Sequence, residues 1–168
     1  GSLSRRRLSI GFYKHLLDIN SGYASYGSEV TALGFVGVGV QYINYGEFRR
    51  TGEEGQDLGT FGASELALSV GYAGELQPGL RYGATAKYIH SSIAEVSSNG
   101  VAVDLGTQFV AVQDRVELGA SLMNAGVQLS PYLGTRENLP LNFTVGASFY
   151  PEHLPAVLQV NFHKLNEA

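Results

Sequence analysis

"GFVGVGVQYINYGEF", residues 34–48, separates into two unlike faces when every second residue is read. One face carries Val36, Val38, Val40 and Tyr42; the other carries Gly37, Gly39, Gln41 and Ile43. Successive side chains of a strand point to opposite sides of a sheet, so this alternation predicts a β-strand with one apolar face. A strand of an ordinary soluble sheet solvates its second face with lysine, glutamate and threonine. Here that face is mostly glycine and amide. An environment that wants one greasy side and one small, uncharged, polar side is what this stretch asks for.

The same period continues along the chain. Leu8, Ile10 and Phe12 alternate with Ser9, Gly11 and Tyr13; Leu66, Leu68, Val70 and Tyr72 with Glu65, Ala67, Ser69 and Gly71. Leu80, Tyr82, Ala84, Ala86 and Tyr88 oppose Arg81, Gly83, Thr85 and Lys87, and Val101, Val103 and Leu105 oppose Ala102, Asp104 and Gly106. Val116 to Leu122, Leu141 to Phe149 and Leu158 to Phe162 repeat the pattern. With a weaker strand near residues 19–27 the period-2 segments number about nine, and no segment follows the 3.6-residue helical period. The chain reads as all-β.

The connections alternate too. Short links are expected at Gly27–Thr31, Gly74–Gly79, Val112–Arg115 and Pro151–Pro155, and longer ones at 49–64, 91–100 and 125–140. Tight turns at one end of an up-and-down sheet and longer loops at the other are the pattern of bacterial outer-membrane barrels. Such a barrel also accounts for the two faces: lipid outside accepts any apolar shape, and the lumen takes small or polar residues. Backbone groups in hydrocarbon must pair internally, so the sheet must close. Tyr42, Tyr45, Phe48, Tyr88, Phe149 and Tyr150 near strand ends suit interfacial aromatic girdles. The alternative is a soluble, lipocalin-like barrel with its apolar face turned inward. Its outer surface would then be glycine, serine and alanine with few charges, which water solvates poorly.

Composition narrows the function. The formal charge is −4, so a nucleic-acid partner has no electrostatic support. Charged residues make up only 15%, against about 25% in an average soluble domain. The absence of cysteine rules out disulfides, thiolate metal sites and a cysteine nucleophile. No apolar run approaches the ~20 residues of a membrane-spanning helix, and the basic opening stretch lacks the apolar core of a signal peptide. His15, His90, His153 and His163 are scattered without ligand spacing, and no nucleophile elbow, P-loop or dinucleotide fingerprint occurs. No cofactor and no catalytic activity are expected. Glu53, Glu54 and Asp57 make an acidic loop that reads as solvated rather than calcium-binding, and Arg5, Arg6 and Arg7 read as flanking charge before the first strand. Lys87, Asp104 and Glu117 share, by parity, the lumenal face of three neighbouring strands. Buried charges persist when paired, so a structural polar network around Lys87 and Asp104 is expected.

Three stretches go further: "QYINYGEFRRTGEEGQDLGTFGASELALSVGYA" (41–73), "AKYIHSSIAEVSSNGVAVDLG" (86–106) and "LMNAGVQLSPYLGTRENLPLNFTVGAS" (122–148). In order and spacing they resemble the PorV/PorQ family of type IX secretion outer-membrane proteins, which are related to FadL-like barrels. The likeness runs from about Leu8 to His163. It implies an antiparallel up-and-down transmembrane β-barrel of roughly fourteen strands, an even number as in bacterial single-chain barrels. By that measure a nine-stranded chain is incomplete at both ends. The resemblance further implies a bacterial outer-membrane location, contact with outer-membrane lipid, and a non-enzymatic place in the cell-surface attachment complex beside that system's other subunits. Docking would fall to the longer loops, through Arg49, Arg50, Glu53, Glu54, Asp57, Tyr132 and Arg136. A FadL-like channel for hydrophobic small molecules is the alternative within the same architecture.

Overall fold

A computed structural model describes residues 6–15, 18–30, 34–113, 115–131 and 139–163. Every regular element among them is a strand: β1 (Arg7–Lys14), β2 (Asn20–Val30), β3 (Gly34–Thr51), β4 (Asp57–Gln77), β5 (Leu80–Ile93), β6 (Val96–Val112), β7 (Val116–Ser130), β8 (Asn142–Phe149) and β9 (Leu158–Phe162). They form one antiparallel sheet in strictly sequential order, each strand paired with its neighbours in the chain. Consecutive pairing is what two-residue periodicity joined by turns yields most directly. Among the described residues no ladder joins β9 to β1, and the sheet is open.

Register keeps the two faces apart over all nine strands. The ladder row Ser9–Ser25–Gly39–Ser69–Lys87–Ala102 lies on one face. The row Ile10–Ala24–Val40–Leu68–Tyr88–Val101 lies on the other. A one-residue slip anywhere would mix them, so the pattern itself specifies the register.

The polar face is concave. One concavity of about 1230 Å³ touches that face on every strand, from Ser9 on β1 through Gly39, Ser69 and Asp104 to Asn161 on β9. Curling brings side chains on the inner surface together, so short residues there are a steric requirement. At Gly39 a Cβ would come within 2.8 Å of the Ser69 hydroxyl oxygen. The convex face holds the large apolar side chains, and these are exposed: Ile10 by 72%, Val70 by 57%, Val160 by 57%. Among the described residues the one buried apolar residue is Ala102, at 3%. A soluble domain of this length buries a core of leucine, valine and phenylalanine; this sheet places them outward.

Loop lengths differ from the sequence expectation. Residues 49–64 were expected as a long loop, yet β3 and β4 stay paired out to Thr51 and Asp57, leaving a tip of 52–56. Residues 91–100 are likewise strand, closed by a tight turn at Ala94–Glu95 with Ala94 in the left-handed region (φ 53°). β7 continues to Ser130, so only the remainder of 125–140 connects it to β8. The polar, glycine-bearing composition that resembled loop belongs to strands extending past the apolar zone, where backbone pairing continues without a continuous apolar face.

Candidate functional site

Among the described residues the concave face carries one ionic cluster, built on Lys87 and Asp104. Lys87 on β5 is the ladder partner of Ala102, which places Asp104 two residues further along β6 on the same face. The Lys87 Nζ lies 2.7 Å from Asp104 Oδ1, with the two side chains 17% and 21% exposed. Nζ also donates to Asn124 Oδ1 at 2.5 Å. Asn124 sits in a β-bulge of β7, where Val103 pairs Ala125 but Leu105 pairs Leu122. Its backbone is left-handed (φ 59°), a conformation asparagine tolerates better than most residues. Its backbone N–H donates to Asp104 Oδ1 at 2.8 Å, and its side-chain amide donates to the Pro140 carbonyl at 3.2 Å. One asparagine thus ties β5, β6, β7 and the approach to β8. With its charges paired and hydrogen-bonded, the cluster locks register across the sheet and presents no idle acid or base.

Glu117 does not join this cluster. It lies on the same face toward the opposite end of β7, accepting hydrogen bonds from the Gln108 amide (2.7 Å) and the Tyr150 hydroxyl (3.4 Å). Asn124 is the member that sequence reading missed, although a signal was present. The apolar positions run Val116, Leu118, Ala120, Leu122 and then change phase to Ala125, Val127, Leu129. A one-residue phase change within a strand is the mark of a bulge.

The second candidate is the paired extension of β3 and β4. The convex row Lys14–Asn20–Asn44–Ser64–Ser92–Ser97 is polar on all six strands. The β1–β2 hairpin ends at this row, whereas β3 continues to Thr51 and β4 begins at Asp57. Seven further residues per strand extend roughly 23 Å. At its root a bulge at Asn44–Glu47 re-aims the hairpin, with Gly46 at φ 80° and its N–H donating to Asn44 Oδ1 at 2.7 Å. Nearby, partial burial and then the Glu65 carboxylate push the Tyr45 hydroxyl above the ordinary tyrosine range.

The extension is braced. Phe48 and Phe61 stack with centroids 5.5 Å apart, and the Arg50 guanidinium lies 5.7 Å above the Phe61 ring. Arg50 also reaches Glu95, in the β5–β6 turn, at 3.3 Å, while the Ala94 N–H donates to the Gly62 carbonyl. Arg49 pairs with Thr60; Glu53 and Glu54 occupy the tip. Glu54 accepts from the Gln56 amide at 2.8 Å, and Asp57 accepts from the Gly59 N–H at 2.9 Å. These carboxylates shape the turn, and among the described residues no group of three or more His, Asp or Glu side chains is placed to hold a metal ion. Tyr132 and Arg136, the other two docking residues expected from sequence, lie outside the described residues, as does Arg5.

No protein-family model matches the chain, and no curated protein or solved structure matches it.

Proposed function

We propose that this chain is the strand-spanning part of a bacterial outer-membrane β-barrel and that it works without chemistry of its own, as an anchor for partner proteins. The observation that carries the reading is the inversion of the faces: bulky apolar side chains exposed on the convex side, small and polar ones on the concave side. In water each buried Å² of apolar surface is worth about 25 cal/mol, so an apolar exterior of this extent calls for lipid. A lipocalin-like carrier needs the opposite arrangement. The short side chains of the concavity also favour an anchor over a channel for hydrophobic molecules, whose pocket would be lined by large apolar groups.

The resemblance to the PorV/PorQ family supplies the particular role: membership of the type IX secretion attachment complex, with the β3–β4 extension as the docking element. Rigid projections on a fixed scaffold suit that task. The test has two arms. Strand circular dichroism and a heat-sensitive gel shift should appear with detergent and not in plain buffer; a folded monomer in buffer alone refutes the membrane reading. Replacing residues 47–61 by a short turn should abolish co-purification with the attachment-complex subunits while leaving the gel shift intact. Unchanged co-purification would remove docking from this hairpin.

A further inference from the structure

The β3–β4 extension leaves one strand edge unpaired. β2 pairs with β3 only as far as Asn20–Asn44, where the bulge at Asn44–Glu47 ends the ladder. Beyond it β3 runs on to Thr51 with β4 on one side and, among the described residues, no strand on the other. In an antiparallel pair alternate residues direct both N–H and C=O away from the partner strand. Residues 45–51 therefore present a row of unpaired donors and acceptors. The Gly46 N–H, at the root of the row, is already held by the Asn44 side chain. The β4 side differs, because the β5–β6 turn meets its base through the Ala94 N–H on the Gly62 carbonyl and through Arg50–Glu95. Exposed edges are commonly blunted by proline, by lysine or by a bulge along their length. From Glu47 to Thr51 there is neither proline nor lysine, and the bulge lies below the row.

The side chains along this edge are also unanswered. Glu47 and Arg49 share one face of the extension, opposite Gly62 and Thr60, while Phe48 shares the other face with Phe61. Glu47 and Arg49 are exposed, and among the described residues neither side chain has an ion-pair or hydrogen-bond partner. Phe48 remains 43% exposed although it stacks on Phe61. One strand laid antiparallel along β3 would answer all three, with an acid opposite Arg49, an apolar side chain beside Phe48 and a base opposite Glu47. Directly opposed pairs of this kind stabilise a sheet, and like charges in the same places destabilise it.

We infer that residues 45–51 of β3 take an extended segment of a partner protein as a further antiparallel strand, with acidic, apolar and basic side chains in that order along the segment. This rests on the docking reading above and states how the hairpin holds its partner. Main-chain hydrogen bonds attach the segment, and the opposed charges set its register. A second copy of this chain does not fit the edge. Two copies standing the same way up in one membrane would meet with their β3 strands parallel, Glu47 facing Glu47 and Arg49 facing Arg49. Antiparallel pairing of two copies would match the charges, but it requires one copy to be inverted.

The probe is the peptide acetyl-Thr-Thr-Glu-Val-Lys-Val-Thr-amide, added at millimolar concentration to the full chain in detergent micelles. Amide exchange should slow about tenfold or more at alternate residues of 45–51 and stay unchanged in β5. Reversing the charges of the chain, Glu47→Arg with Arg49→Glu, should weaken the peptide about three- to tenfold, and exchanging the peptide's own glutamate and lysine should restore binding. The heat-sensitive gel shift checks that the reversed chain is folded. Absent protection, or protection indifferent to both reversals, overturns the edge assignment. A dimer of the chain alone in sedimentation, closed to the peptide, overturns the partner in favour of a second copy. Co-purification of the attachment-complex subunits separates this inference from the reading beneath it. Both the charge reversal and the replacement of 47–61 should reduce it. Loss on replacement alone overturns strand addition and leaves docking by the hairpin standing, whereas loss in neither removes the docking reading itself.

Discussion

Removing either end of the Lys87–Asp104 pair tests whether the concave cluster holds the sheet in register. Asp104→Ala deprives Nζ of its carboxylate at 2.7 Å and leaves the Asn124 backbone N–H without its acceptor at 2.8 Å. Hydrogen bonds to charged groups contribute about 1.5–3 kcal/mol, and breaking a fully buried ion pair costs about 3–5 kcal/mol. Both side chains keep roughly a fifth of their surface exposed, which places the pair below the fully buried case. The expected loss is about 2–3 kcal/mol for Asp104→Ala and about 2 kcal/mol for Lys87→Met, which strands the carboxylate instead. The double variant should cost about 1–2 kcal/mol less than the sum, because the second change removes a charge already left unpaired. Urea unfolding in detergent micelles, followed by strand circular dichroism, yields all three values. Single losses below about 0.5 kcal/mol, or strict additivity, would refute the claim that these residues act as a unit.

Other expectations follow from single positions. Asn124→Gly should unfold at higher urea than Asn124→Ala by about 1 kcal/mol, since both lose the side-chain hydrogen bonds but only alanine must also be forced to φ 59°. Gly126→Ala should destabilise by about 2 kcal/mol or more, because a Cβ there collides with the Val101 carbonyl and the Ala102 backbone; a neutral result in the same assay would mean the β6–β7 spacing is looser than described. Val70→Arg, on the convex face, should cost about 2–4 kcal/mol in lipid vesicles, and Ser25→Arg, on the concave face, should cost clearly less; the reverse order would turn the sheet inside out. Arg50→Ala removes an exposed ion pair and a ring contact worth at most about 1 kcal/mol. Its effect should appear as faster amide exchange in 47–61 with the unfolding midpoint unmoved.

The alternation that marks Leu66 to Tyr72 or Leu158 to Phe162 as strand is a local property, and the all-β, sequentially ordered sheet was legible from it. Lys87 and Asp104 were legible as a pair because parity places them on one face. The bulge at Asn124 was recorded only as a change of phase, and its contact with both charges depends on β5 and β7 being brought to either side of β6. The reading of 49–64 and 91–100 as loops failed for a definable reason. Beyond the apolar zone a strand needs no hydrophobic face, so cross-strand hydrogen bonding continues under a composition that resembles loop. The Arg50–Glu95 brace joins two hairpins forty-five positions apart and left no trace in local pattern.

What the sequence by itself determined is which residues share a face, because the two-residue period of a strand requires only the backbone. Which face turns outward and how far β3 and β4 extend as a pair were decided by tertiary structure. Curvature and stagger are properties of many strands together. No single strand, read alone, contains the direction in which the sheet bends.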